Sequence, residues 1–442
     1  MILAVIVFAF LLRVISLNQS FWLDEATSGL VVRNFSLGEI ITKFSPGDFH
    51  PPLYYLILKV WSSFFGTSEM ALRFPSIVFG LLTIYLVYLM GKGLFNKKIG
   101  LTAGILLATS GLHIYYSQEA RMYSLIALLI SWLTYLFLKK KWLIFSIILM
   151  FVGLTDYPAL LIIPIFWILT KKDRKKLILS HIPLVFCFLL WLPIFFKQLS
   201  AGLNVNTNSP GWWSLLGQTS IKNLALIPVK FVLGRISFDN IYIYGAIIGV
   251  IFILVAYLFM KTFKEFKKTS ILWYWLIIPT ILAAVVGFKI SVLSYFRLLF
   301  ILPAFYLLIA VGISRTQKYA NYLLGILLIS NLVFSGIYLF NPRFHRENWR
   351  GLVSFVESQK TKDSATLFVA DSNMEVYRYY APEAIIAGPK GFDTPYGEIW
   401  LMRYLQPVFD AKDLLRAKIE ASGYNKEKEY DFNGVVVWKY EK

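Results

Sequence analysis

MILAVIVFAFLLRVISLNQSFWLDE, residues 1–25, sets a nearly unbroken apolar run against two adjacent acids, Asp24 and Glu25. The first 17 residues carry a single charged side chain, Arg13. As a helix they extend about 25 Å, close to the hydrocarbon thickness of a bilayer. Comparable runs recur along the chain, and 57% of its 442 residues are hydrophobic. That pattern predicts a polytopic α-helical membrane protein. The opening stretch lacks a basic n-region and a small-residue cleavage site, so it reads as a retained helix rather than a signal peptide.

Charge divides the chain. Residues 341–442 hold 15 Lys/Arg and 15 Asp/Glu, whereas residues 1–340 hold 29 and 10. The expectation is a membrane domain, 1–340, followed by a soluble α/β domain, 341–442. The basic excess lies in short tracts between apolar segments, the pattern of cytoplasmic loops and not of a nucleic-acid surface. A single cysteine, Cys187, excludes an intramolecular disulfide. No G-x-x-x-x-G-K-[ST], H-E-x-x-H, C-x-x-C or D-x-D stretch occurs, so P-loop, zincin and metal-gripped nucleotide-sugar chemistries are not indicated.

With the clusters Lys97/Lys98, Lys139–Lys141, KKDRKK (171–176), Lys261–Lys268 and Arg315/Lys318 on the cytoplasmic side, eleven crossings fall between them. They are 1–17, 74–95, 99–116, 122–138, 142–155, 158–170, 177–197, 242–260, 270–287, 298–313 and 320–340. Residues 18–73 then form a first outer loop. Within it, LYYLILKVWSSFF (53–65) is too short to cross and reads as an interfacial helix started by Pro51 and Pro52. Ser36 and Glu39 have capping-box spacing. Segment 142–170 reads as a shallow hairpin turning at Thr155-Asp156-Tyr157. In the C-terminal part, 347–359 and 410–424 read as helices, and 365–371, 399–405 and 434–440 as strands.

Eight of the ten acids before residue 341 fall on the outer side under this topology. Four stretches gather there: WLDE (22–25), FHPPLYY (49–55), YYSQEARMYS (115–124) and SYFR (294–297). Carboxylates next to guanidinium groups at a membrane surface suit displacement of a phosphate leaving group by a hydroxyl. The carboxylate serves as general base, and the arginine fork stabilises the departing phosphate. Each residue also has a plainer reading. Asp24 and Glu25 fit a helix N-terminus, Glu119 and Arg121 a solvated turn, and Arg13 and Arg297 side chains that snorkel. His50, His113 and His181 fit structural roles, and Asp156 a turn.

Five separated stretches carry a resemblance: WLDEATS, HPPLYYLILKVW, ALRFPSIVFGLLTIYLVYL, IYYSQEARMYSL and SYFRLLFILPAFYLLIAVGI. In this order and spacing the chain resembles the prokaryotic dolichyl-phosphate-mannose-protein mannosyltransferase-like family, a branch of the GT-C glycosyltransferases, over roughly residues 8–315. The resemblance implies transfer of a sugar from a polyprenyl-phosphate donor to a glycan, lipid or protein acceptor at the outer face of the cell membrane, with inversion. It implies Asp24, with Glu25 beside it and Glu119, as catalytic acids, and Arg121 and Arg297 as phosphate-binding residues. In the related lipid A aminoarabinose transferases a lysine stands at the place of His50. His50 departs from that pattern and is placed with the phosphate-binding residues all the same, although a neutral imidazole offers one donor at most. Tyr54, Tyr55, Tyr116, Tyr123 and Asp156 would contact substrate, although the tyrosines also fit an interfacial belt. The residues single out no cofactor, and the carboxylates could recruit Mg²⁺ or Mn²⁺. The alternatives are a polysaccharide polymerase or ligase using diphosphate-linked donors, a transporter of lipid-linked sugars, and a sensor whose outer domain is the working part.

Overall fold

The structure, a computed structural model, describes residues 1–208, 211–213, 217–391 and 396–442, with the side chains of 205–208 left aside. Helices occupy all eleven expected segments. Five helices are long and apolar enough to cross a bilayer: Glu69–Leu94, Arg174–Asn204, Ile241–Phe263, Phe266–Val286 and Gln317–Phe340. Lys97–Thr109 and Gly111–Ser117, bent by 63° at Ser110, together make a sixth. The remaining expected crossings are shorter apolar helices, such as Ile2–Val14 and Tyr123–Leu138, so length alone accounts for six of the eleven. Helices also fall where none was expected, Ile221–Leu233 and Met374–Tyr380 among them. Ile221–Leu233 starts at Ser220, whose side chain accepts from the Asn223 N–H.

Two polar side-chain pairs bracket the hairpin at 142–170. At one end Lys140 Nζ lies 3.0 Å from Asp173 Oδ2, joining the two basic clusters that flank it. At the other end Asp156 Oδ1 lies 3.5 Å from His50 Nδ1 in the first loop. The chain therefore leaves and returns on one side. Within the first loop, Ser36 and Glu39 close the capping box, and the interfacial segment forms a helix, Leu53–Phe65.

The C-terminal part builds a five-stranded sheet in the order β2-β1-β3-β5-β4. The strands are β1 Ser364–Phe368, β2 Ile386–Ala387, β3 Glu398–Met402, β4 Asn425–Asp431 and β5 Val436–Glu441. β1 is parallel to β2 and β3, and β5 is antiparallel to β3 and β4. β1 and β3 are buried throughout. β4 reads NKEKEYD and is exposed along nearly its whole length. Charge on an edge strand discourages pairing with other chains, and it also hides the strand from a search for apolar alternation.

This domain is docked tightly on the first loop through its helix Met374–Tyr380. A Cβ on Gly29 would lie 2.5 Å from the Tyr379 ring, so the close approach requires glycine there. Tyr380 Oη accepts from the Phe21 N–H at 2.7 Å and donates to Glu69 Oε1 at 2.9 Å. Arg33 stacks on the Tyr379 ring at 3.8 Å.

Candidate active site

Asp24 and Glu25 sit in the first turn of the helix Leu23–Asn34, where acids complement the N-terminal dipole. Neighbours on a helix point about 100° apart, and the two side chains go to different places. Glu25 is fully buried. Arg73 donates to it from Nε at 2.8 Å and from Nη2 at 2.6 Å, and the Ala120 N–H donates to its Oε1 at 2.8 Å. Asp24 keeps 32% of its side chain exposed, with Oδ2 3.7 Å from Arg121 Nη2. The doublet thus divides into an internal anchor and an accessible carboxylate.

Residues 118–122 form the turn between Gly111–Ser117 and Tyr123–Leu138. Gln118 Nε2 donates to the carbonyls of Arg13 and Ile15 at 2.9 and 2.6 Å. Ser76 donates to the Glu119 carbonyl at 2.6 Å. Arg121 Nη1 donates to Tyr55 Oη at 2.8 Å, whereas the buried Arg121 Nε has no hydrogen-bond partner among the described residues. The turn is therefore held from several sides, with Arg121 directed at Asp24.

The C-terminal part reaches the same place through Arg346. Its Nη1 lies 3.1 Å from Glu119 Oε2, and its Nε lies 3.6 Å from Glu25 Oε2. Its guanidinium also lies 4.3 Å from the Tyr115 ring centroid. Burial works against the Glu25 charge, yet Arg346 and Arg73 hold its pKa below the usual carboxylate value. Burial dominates at Glu119 and pushes its pKa up to about 7, opposed by Arg346 and reinforced by Glu25. Glu119 Oε1 is buried without a hydrogen-bond partner among the described residues.

Two further guanidinium groups, close enough to Tyr123 and Tyr115 to act on them, have no carboxylate in ion-pairing distance among the described residues. Arg297 lies beside Phe296, and its Nε is buried and has no hydrogen-bond partner among the described residues. Arg235 follows the helix Ile221–Leu233, donates to Tyr295 Oη at 3.0 Å, and lies 4.8 Å from the Tyr115 ring centroid. That helix and Ile241–Phe263 enclose an apolar cavity of about 270 Å³ lined by Val229, Val232, Leu233, Ile248, Val255 and Phe259. His50, expected near phosphate, instead faces Asp156, which was expected to contact substrate. The two hold the loop to the hairpin, as does Gln198, which donates to the Ser45 carbonyl at 2.7 Å. Tyr54 and Tyr116 are buried in the core, and Tyr123 packs edge-on against Phe296. Arg13, expected to snorkel, is fully buried, with Nη2 2.7 Å from His113 Nδ1.

Arg73, Arg235, Arg346 and Asp48 were not singled out in the sequence. Asp48 lies close enough to Arg121 to bias its charge. Arg73 stands in the quoted ALRFPS stretch, and Arg346 follows the last apolar helix. Neither has a local signal for its partner, because the pairing spans 48 residues for Arg73–Glu25 and 227 for Arg346–Glu119. Among the described residues no three His, Cys, Asp or Glu side chains converge as metal ligands. Asp24, Glu25 and Glu119 each face a guanidinium, a donor set that does not fit Mg²⁺ or Mn²⁺.

Residues 49–200 match the family described as dolichyl-phosphate-mannose-protein mannosyltransferase. No curated protein sequence matches the chain. In fold the chain is similar to ArnT from Cupriavidus metallidurans in the apo state, with a TM-score of 0.56, 11% identity, and coverage of 99% of this chain and 97% of that one. ArnT bound to undecaprenyl phosphate gives 0.54 and 12% at the same coverage. The archaeal oligosaccharyltransferase AglB from Archaeoglobus fulgidus, in complex with an inhibitory peptide and a dolichol-phosphate, gives 0.55 and 12%, covering 99% of this chain and 74% of that one. The chain is thus a multi-pass membrane protein of the GT-C glycosyltransferase fold, matched over residues 49–200 by the dolichyl-phosphate-mannose-protein mannosyltransferase family.

Proposed function

We propose that the chain transfers a sugar from a polyprenyl-phosphate donor to an acceptor hydroxyl at the extracytoplasmic face of the cell membrane. The observation that carries this reading is an accessible carboxylate, Asp24, set against Arg121, together with two guanidinium groups that lack carboxylate partners among the described residues: Arg297, which like Asp24 lies close enough to Tyr123 to act on it, and Arg235, which lies close enough to Glu119 to act on it. An unpaired cation at the lip of a membrane domain is an anion site, and arginine binds phosphate through a planar fork. The apolar cavity lined by Leu233, two residues before Arg235 in the chain, has the character an isoprenoid chain needs. ArnT has been crystallised with undecaprenyl phosphate and AglB with a dolichol-phosphate, which supports the same class of lipid carrier here.

The reaction is a single displacement. The acceptor O–H proton passes to an Asp24 carboxylate oxygen as the acceptor oxygen bonds to the anomeric carbon. The bond from that carbon to the phosphate oxygen breaks, and its electron pair leaves with the polyprenyl phosphate. The diester donor carries one negative charge and the released monoester up to two. Arginines that bind both therefore grip the product-like transition state harder, which is what accelerates the step. Glu25 acts as a positioning residue beneath Asp24. Glu119 offers its unpartnered Oε1 to a hydroxyl of the bound sugar or acceptor.

Glycan profiling of cells carrying Asp24→Asn tests the reading. One glycan modification is expected to disappear at normal protein abundance, and an unchanged profile refutes the assignment. The purified chain, offered monophosphate- and diphosphate-linked donors, is expected to consume only the former. Consumption of the latter alone would favour a polymerase or ligase.

A further inference from the structure

We propose that Arg346, on the segment that opens the C-terminal domain, is a positioning residue for sugar transfer that sets the charge and placement of Glu119. The inference rests on the reading of the Asp24–Glu119 cluster as the reaction site.

The geometry is that of a keystone. Arg346 is buried, and its side chain meets groups more than 200 residues away in sequence. Besides both carboxylates, Nη1 donates to Tyr115 Oη at 3.1 Å, and Nη2 donates to the carbonyls of Tyr115 and Gln118 at 3.4 and 3.2 Å. Its own backbone N–H donates to Gln19 Oε1 at 2.9 Å. One rigid fork therefore grips the segment just before Glu119, the Glu119 carboxylate, and the Glu25 anchor. Lysine, a point charge on a flexible stem, cannot reproduce that set.

Charge balance gives the same answer. Glu25 and Glu119 are two buried carboxylates, and Arg73 and Arg346 are the two buried cations against them. Without Arg346 the two acids would keep only Arg73, which is bonded to Glu25, and Arg235, which does not touch either carboxylate directly, and like charges in a buried site do not both stay ionised. Arg73 makes two bonds to Glu25, so Glu119 is the one that would take up a proton. The groups that face Glu119 are Glu25, Arg235, Arg346 and the phenols of Tyr54, Tyr115, Tyr116 and Tyr123. Of the two cations, Arg346 alone contacts it directly. The C-terminal domain is on this argument part of the reaction centre.

The test uses the full chain in nanodiscs, supplied with the lipid-linked sugar fraction extracted from the expressing cells, with turnover read as released polyprenyl phosphate. Arg346→Gln is expected to lower kcat by about 100-fold, the scale of a small misplacement of catalytic groups, with the donor KM nearly unchanged. Its acid limb is expected to move to higher pH, because loss of the cation raises the pH at which Glu119 ionises. Arg346→Lys is expected to keep the wild-type acid limb and regain part of kcat. Adding Arg346→Gln to Glu119→Gln is expected to cost nothing further. An unshifted acid limb in Arg346→Gln, or additive losses in the double variant, overturns the proposal while wild-type turnover sustains the parent reading. Absence of wild-type turnover, together with no binding of undecaprenyl phosphate, overturns both. If Arg346→Gln does not accumulate, Arg346→Lys decides: a kcat and pH profile identical to wild type refute the need for the fork.

Discussion

Arg73 donates two hydrogen bonds to Glu25, at 2.8 and 2.6 Å, and neither side chain reaches the surface. Asp24, the next residue back, meets Arg121 only at 3.7 Å and stays accessible. Substitution should therefore separate the pair. Glu25→Gln leaves a buried cation uncompensated and is expected to cost about 3–5 kcal/mol of stability. Asp24→Asn is expected to leave stability within about 1 kcal/mol of wild type while abolishing transfer. The Glu25 pKa is held below its usual value of 4.5. Its stabilising effect is accordingly complete above that value and is lost as pH falls through the depressed one. Melting temperatures of wild type and Glu25→Gln should thus converge on acidification; a constant gap would count against the pairing.

The unpaired arginines predict a different signature. Arg235→Ala and Arg297→Ala should each lower kcat/KM by about 10²-fold, the usual loss for one donor to a developing anion, without lowering thermal stability. Each should also weaken binding of undecaprenyl phosphate, measured by the protection it gives against heat. Equal loss for neutral prenol and prenyl phosphate would show that the effect is not one of charge.

Much of the fold was legible because membrane helices announce themselves through uncharged length. The hairpin at 142–170 followed from its two basic flanks, and the Lys140–Asp173 pair joins them. The helix Ile221–Leu233 escaped because Lys222, Asn223 and Lys230 interrupt its apolar run. Strand β4 escaped because its burial pattern has no alternation. At the site, local motifs exposed Asp24, Glu119, Arg121 and Arg297, all in short stretches rich in aromatic residues. What they could not reveal is which charges neutralise which. Arg346 and Glu119 lie in different domains, and only the folded chain brings a guanidinium from one to a carboxylate of the other.

Gly80 permits a close approach to Ser117, on the short helix that follows the bend at Ser110. A Cβ at Gly80 would lie 2.3 Å from Ser117 Oγ. Ser117 Oγ accepts from Arg13 Nε at 3.1 Å and donates to the His113 carbonyl at 2.6 Å. Gly80→Ala is expected to cost about 1–3 kcal/mol by overpacking, read as a lower melting temperature. Ser117→Ala in the same chain should recover part of that loss, since it removes the nearest atom. No cost in the single variant would mean that this helix contact is looser than the geometry requires.

Sidedness is open to a direct measurement. The Lys140–Asp173 pair puts residues 139–141 and 171–176 at one end of the hairpin, and the His50–Asp156 pair puts the site at the other. Positive charge flanking apolar segments is retained in the cytoplasm, so the site should open outward. In a Cys187→Ser background, Lys141→Cys and Lys172→Cys should resist a membrane-impermeant maleimide in intact cells and react once the cells are permeabilised. Gly38→Cys in the first loop and Lys412→Cys in the C-terminal domain should react without permeabilisation. Labelling of Lys141→Cys and Gly38→Cys from the same side would break the topology. Reversal of both would keep the fold but place sugar transfer on the cytoplasmic face, where the donor would have to be used before it is moved across the bilayer.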